Sequence, residues 1–284
     1  MGIKFRLIVM NFLQYAIWGS WLISLGAYLG GGLDFTGLQI GSFFATMGVA
    51  SLFMPAVMGI IADRWIPAQK LLGICHLVSG GFLIAAASQT AYGPLYSCML
   101  LSVMFYMPTI ALSNSVAYNA LDLARLDTVK HFPPIRVWGT VGFIAAMWFV
   151  DLTHIGGVQI KLTEWQLYVS AVLSFLLAVY SFSLPGCPVD RTVKARSWVD
   201  TLGLRAFTLF KEKRMAIFFV FSMLLGAALQ ITNAFGDSYI QSFGSMPQYA
   251  DSAIVKHSVI LLSLSQMSET FCILLIPFFL RRFG

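Results

Sequence analysis

The sequence predicts an all-α membrane protein with eight transmembrane helices, on three observations. Hydrophobic residues make up 58% of the 284 and charged residues only 11%, with a mean hydropathy of +0.79. A soluble domain carries about 25% charged residues, so most of this chain is dissolved in lipid. Eight apolar runs are long enough to span, and Lys and Arg collect at every second junction between them. Backbone polar groups in a bilayer must be satisfied internally, and these runs are far too long for barrel strands, so each is expected as a helix.

The expected spans, in order, are Phe5–Leu29, Leu38–Ile61, Leu71–Ser88, Leu95–Ala117, Val137–Val150, Trp165–Leu184, Met215–Phe235 and Ser258–Leu280. The fifth is the shortest, and is expected to reach about Ile155 despite Asp151. The basic junctions hold Lys4 and Arg6, Arg64 and Lys70, Arg125, Lys130 and Arg136, the cluster from Arg191 to Arg214, then Arg281 and Arg282. The opposite junctions hold only Lys161 and Lys256. Short loops rich in Lys and Arg stay cytoplasmic, so the N-terminus is expected inside. The net charge of +6 thus reflects topology and calls for no nucleic-acid partner. No stretch has the layout of a cleavable signal peptide, so the first span is expected to be retained. Four cysteines without a C-x-x-C pair, and four scattered histidines, support neither a disulfide framework nor a metal site.

Glu269 sits mid-way along the eighth run, about 16 Å from either end of a helix rising ~1.5 Å per residue. The other eleven acidic residues fall in or beside polar breaks. A carboxylate at the centre of a span costs roughly 2.5–3.5 kcal/mol, and such residues face cavities and do work, or hold two helices together. Helical spacing then groups further candidates. Arg136, Thr140 and Phe143 fall at i, i+4 and i+7 on span five, with Pro133 and Pro134 as a helix entry before them. Arg136 also fits a snorkelling positive-inside residue. Gln230 and Asn233 on span seven, and Gln266 and Glu269 on span eight, are pairs one turn apart. Such amides either line a polar pocket or bond neighbouring helices. Span one carries Asn11, Gln14, Trp18 and Trp21 along a stripe, where rings suit a flat ligand and amides its hydroxyls, or where ordinary packing suffices. Asn114, Tyr118 and Asn119 lie toward the cytoplasmic end of span four and suit a gate.

Six spans, a basic stretch and then further spans is the plan of the major facilitator superfamily, whose two six-helix halves are parallel repeats. Gly59-Ile-Ile-Ala-Asp63-Arg64, between spans two and three, resembles that superfamily's G-x-x-x-D-R signature. The chain is therefore expected to hold residues 1–184 as the N-terminal half, 185–213 as a basic cytoplasmic linker and 214–284 as the first two helices of the C-terminal half. That is eight helices of an expected twelve, in a C-terminally incomplete sequence.

The strings Phe132-Pro-Pro-Ile-Arg136-Val-Trp-Gly-Thr140, Leu224-Leu-Gly-Ala-Ala-Leu-Gln230-Ile-Thr-Asn233 and Leu264-Ser-Gln266-Met-Ser-Glu269-Thr resemble the bacterial nucleoside:proton symporters. The resemblance implies inward movement of purine and pyrimidine nucleosides with protons across the inner membrane, by a monomer with no cofactor beyond the coupling ion. It implies ligand contacts at Arg136, Thr140, Phe143, Gln230, Asn233, Gln266 and Glu269, with alternating access about a mid-membrane site. Desolvation disfavours a charged Glu269, which suits it to carry the coupling proton. A sugar or oligosaccharide symporter of the same superfamily, and a non-transporting nucleoside sensor, are the alternatives. A membrane enzyme would need a nucleophile with its base, or a metal constellation such as H-E-x-x-H, and the sequence has neither.

Overall fold

The computed structural model describes residues 2–189 and 204–283. Eight long helices match the eight apolar runs: α1 Ile3–Gly19, α2 Gly37–Arg64, α3 Ala68–Ala87, α4 Tyr92–Leu123, α5 Thr128–Leu152, α6 Trp165–Ser181, α7 Lys213–Ser242 and α8 Ser258–Phe283. Five helical stretches, α2 to α5 and the one that starts at Lys213, are long and apolar enough to cross a membrane by length and composition alone. Residues 190–203, the middle of the expected linker, lie outside the described residues.

The run expected as one helix from Phe5 to Leu29 is divided. After α1 the chain turns, makes a short helical turn at Leu25–Ala27 and a π-type turn at Tyr28–Gly32. Two features favour the break. The Ser20 hydroxyl donates back to the Ala16 carbonyl at 2.8 Å, and the run Gly30–Gly32 costs helix stability at its end.

Helix α5 starts nine residues earlier than its expected span. Asp127 caps it, its side chain accepting from the Val129 N–H at 2.9 Å. Pro133 and Pro134 therefore lie inside the helix rather than at its entry, and forfeit bonds to the carbonyls four residues back. The same helix stops at Leu152 and not near Ile155. Residues His154–Ile155 (β1) and Val158–Gln159 (β2) pair as a small antiparallel hairpin, an exception to the all-helical expectation. Gly156 and Gly157, at φ +61° and +85°, supply the two left-handed positions that such a two-residue turn demands.

Packing divides the molecule. Helices α1 to α6 form a bundle in which α1 lies chiefly against α5, α3 against α4 and α6, and α2 against α4. The α1 and α5 backbones touch: a Cβ on Gly19 would overlap the Phe143 backbone, and one on Gly142 the Phe12 backbone. Small residues allow such approach, and close packing is what joins helices where lipid removes the hydrophobic drive. Inside this bundle the Gln14 amide donates to Thr109 Oγ1 at 2.7 Å, and His76 Nε2 donates to Gln14 Oε1 at 2.8 Å. Helix α8 packs on α5, and α7 meets the turn Leu25–Ala27, where a Cβ on Gly26 would lie 2.7 Å from the Ala234 carbonyl oxygen.

Candidate functional site

Arg136, Thr140 and Phe143 share a face of α5 that is turned toward α1. The Arg136 guanidinium carbon lies 3.8 Å from the centre of the Tyr15 ring, a cation–π stack. Gly139, one turn further on, makes room for it. A Cβ there would stand 2.6 Å from Tyr15 Cδ2 and 2.8 Å from an Arg136 nitrogen. Phe143 is buried and meets Trp18 edge to face at 6.4 Å between ring centres, and Trp18 lies 5.9 Å from Tyr106. The Tyr106 hydroxyl donates to the Gln14 carbonyl at 2.7 Å, which fixes the far side of this aromatic group.

Trp18 also borders a cavity of about 750 Å³ between the first six helices and α7, lined further by Phe44, Gly48, Met107, Gln230 and Phe235. Trp18 Nε1 and Gln230 Nε2 are both buried without a hydrogen-bond partner. Both nitrogens are closed off from the cavity, so what borders it is chiefly aromatic and small: the Trp18, Phe44 and Phe235 rings with Gly48 between them. Ring faces of this kind suit stacking on a flat molecule.

Of the seven spacing candidates, Arg136, Phe143 and Gln230 thus join one aromatic and polar group. Thr140 and Asn233 are half-buried and Gln266 is 9% exposed. Glu269 stands mid-way along α8, uncovered by the residues of this chain, and its charge lies within electrostatic reach of Tyr15, as does that of Arg136. Two members of the α1 stripe are spent inside the bundle. Asn11 donates to the Leu7 carbonyl of its own helix, and Gln14 is tied to Thr109 and His76. Tyr15 escaped the sequence reading although it stands four residues after Asn11 and three before Trp18, the spacing that identifies that stripe.

The motif residues Gly59, Asp63 and Arg64 close α2, with Asp63 exposed and nothing within 4 Å of a Gly59 Cβ. At the same end of the bundle a second cavity, about 810 Å³, is bordered by Asn114, Tyr118 and Asn119. Two of the acidic residues beside the polar breaks are nonetheless drawn inward. Asp151 and Asp237 are fully buried, inside α5 and α7.

A family model described as nucleoside H+ symporter matches residues 1–284. The chain is 52% identical over 284 residues to the xanthosine permease of Escherichia coli K12 and 47% identical to the nucleoside permease NupG of the same strain. In each case all of this chain aligns with 67% of the relative. Eight spans of twelve would make that same share. A crystal structure of the nucleoside transporter NupG superposes with a TM-score of 0.86, covering 100% of this chain and 69% of that one. A crystal structure of a variant of the same transporter gives 0.90.

Proposed function

Because this chain belongs to the nucleoside H+ symporter family and takes up nucleosides together with protons as a multi-pass membrane protein of the major facilitator fold, we propose that the nucleoside is held at the cavity between Trp18 and Gln230. The observation that carries this reading is the cavity itself, whose wall joins Trp18 of the first bundle to Gln230 of α7. The base stacks against Trp18 and Phe143 and takes the amides of Gln230 and Asn233, while the ribose hydroxyls bond Arg136, Gln266 and Glu269, with Thr140 beside them. Stacking on Tyr15 occupies one face of the guanidinium and leaves its N–H edge for the sugar.

Residues 1–184 and 214–284 belong to two halves that rock about this site. Glu269 carries the coupling proton. It takes the proton from water while the cavity is open to one side of the membrane and gives it to water once the cavity opens to the other, so the proton crosses with the nucleoside. When the cavity closes, Arg136 from one half and Glu269 from the other attract each other directly or through the ligand. The charge pattern supports a cytoplasmic N-terminus, the E. coli relatives support the bacterial inner membrane, and a monomer suffices for one such path. The substrate class extends to the purine nucleosides that the name of xanthosine permease indicates.

Uptake of uridine and of xanthosine by the full-length protein in proteoliposomes, under an inward proton gradient, tests this. Wild type should accumulate both, with sugars failing to compete. Glu269→Gln should lose accumulation and keep exchange, and Arg136→Ala should lose affinity. Full accumulation by Glu269→Gln would make that residue structural.

A further inference from the structure

A second polar cluster lies at the other end of α5, away from the proposed nucleoside site. There the hairpin turn at Gly156-Gly157 brings Lys161 back over Asp151. Their side chains are 1% and 0% exposed and 2.6 Å apart, an ion pair whose angle is not that of a hydrogen bond. The Gln166 amide donates to the Lys161 and Thr163 carbonyls, and accepts from Ser24 at 2.9 Å, so the lysine's backbone is anchored to the first bundle.

The rest of the cluster comes from beyond residue 213. The Lys161 ammonium donates to the Lys256 carbonyl at 2.9 Å and to Ser258 Oγ at 3.2 Å. Ser258 donates to Asp237 Oδ1, whose other oxygen accepts from Gln241 at 3.0 Å. His257 Nδ1 meets the second Asp151 oxygen at 2.8 Å. One ammonium and one carboxylate of the first bundle thus each hold both sides.

We propose that Lys161 and Asp151, through their bonds to His257, Ser258 and the Lys256 carbonyl, form a latch that seals the extracytoplasmic mouth of the transport path and must part once in every cycle. Two observations support it. The cluster is buried where the two halves meet, and the cavity beside Asn114 and Tyr118 stands at the opposite end. Rocking the halves to open the Lys161 end separates Lys161 from Lys256 and Ser258, and Asp151 from His257, because those bonds cross there, together with a longer one of 3.4 Å from the Gln159 amide to the Lys256 carbonyl. Lys161 is then a positioning residue, not a ligand contact. This inference rests on transport by alternating access and not on which residues bind the nucleoside.

The test is thiol accessibility in the full-length protein with Cys75, Cys98, Cys187 and Cys272 replaced by alanine. Gly48→Cys places a reporter on the cavity wall, where an added Cβ meets nothing within 4 Å. A membrane-impermeant maleimide is applied from whichever side labels Gln248→Cys, an exposed loop position at the Lys161 end. That fixes the side independently of the charge-based orientation. Labelling of the reporter should rise several-fold in Lys161→Met, and in His257→Ala combined with Ser258→Ala, and should return toward wild type in Lys161→Arg. Unchanged labelling in the double variant, with the protein monodisperse, would overturn the latch. That variant also removes the Ser258–Asp237 bond within the second half, so His257→Ala alone, whose side chain bonds only across the halves, is measured beside it and decides the matter where the others fail to fold.

Discussion

Helices α1 to α6 and the pair α7–α8 have similar composition but different packing. The first six enclose a continuous core running from Leu7 through Leu72 and Val116 to Leu177. Helix α7 is as apolar as any of them; within this chain, which spans 67% of its relatives' length, the residues it buries are Ala234 and Asp237, while Phe218, Phe221 and Leu225 are left uncovered by the described residues. Apolar content therefore places a helix in the membrane without saying what it packs against. What attaches α7 and α8 is a few small or polar residues: Gly26 against Ala234, Trp148 Nε1 donating to Ser263 Oγ at 2.9 Å, and the cluster around Lys161. In lipid, close approach and hydrogen bonds are the forces left to do this.

The sharpest way to break the contrast is at Asp151. Asp151→Ala leaves a buried ammonium unpaired, and the loss of stability should be about 3–5 kcal/mol. The melting of the purified protein, followed by size-exclusion chromatography, should show early dissociation and poor yield. A melting point within a degree of wild type would mean that the cluster is superficial.

A smaller effect tests whether the first bundle alone depends on backbone contact. Gly142→Ala forces a methyl into the Phe12 backbone and should cost about 1–3 kcal/mol. Gly226→Ala, on α7, meets nothing within 4 Å and should hold or gain stability, by up to ~1 kcal/mol of helix preference. Equal losses at both positions would erase the distinction between the two regions.

The smallest effect belongs to Tyr15. Tyr15→Leu removes the ring beneath Arg136 and should weaken nucleoside affinity by about 1 kcal/mol, roughly fivefold. Tyr15→Phe keeps the ring face and should restore it. A loss in both variants would assign the effect to the hydroxyl instead of the stack.

The spans were legible because hydropathy is additive along a helix, so all eight runs were located, with ends displaced where caps decide them. Asp127 moved the start of α5 and Ser20 helped divide the first run, since both act through single hydrogen bonds that hydropathy does not register. Arg136, Phe143 and Gln230 were legible because helical spacing shows which residues share a face. The burial of Asp151, Lys161 and Asp237 was not legible, because charge alone signals surface. Their burial depends on pairing with His257 and Ser258, up to 106 residues away, which linear order does not reveal.

The burial of Lys161 and Asp151 has a consequence for the medium outside the cell. Dissolved ions weaken exposed charge pairs over a Debye length of about 8 Å at 0.15 M, but they do not enter a dry contact. The Lys256–Asp251 pair nearby is 54% and 100% exposed, and fades in brine. The Lys161–Asp151 pair keeps its grip in fresh water and in salt alike, so the lysine stays aimed at the Lys256 carbonyl and Ser258 whatever the ionic strength.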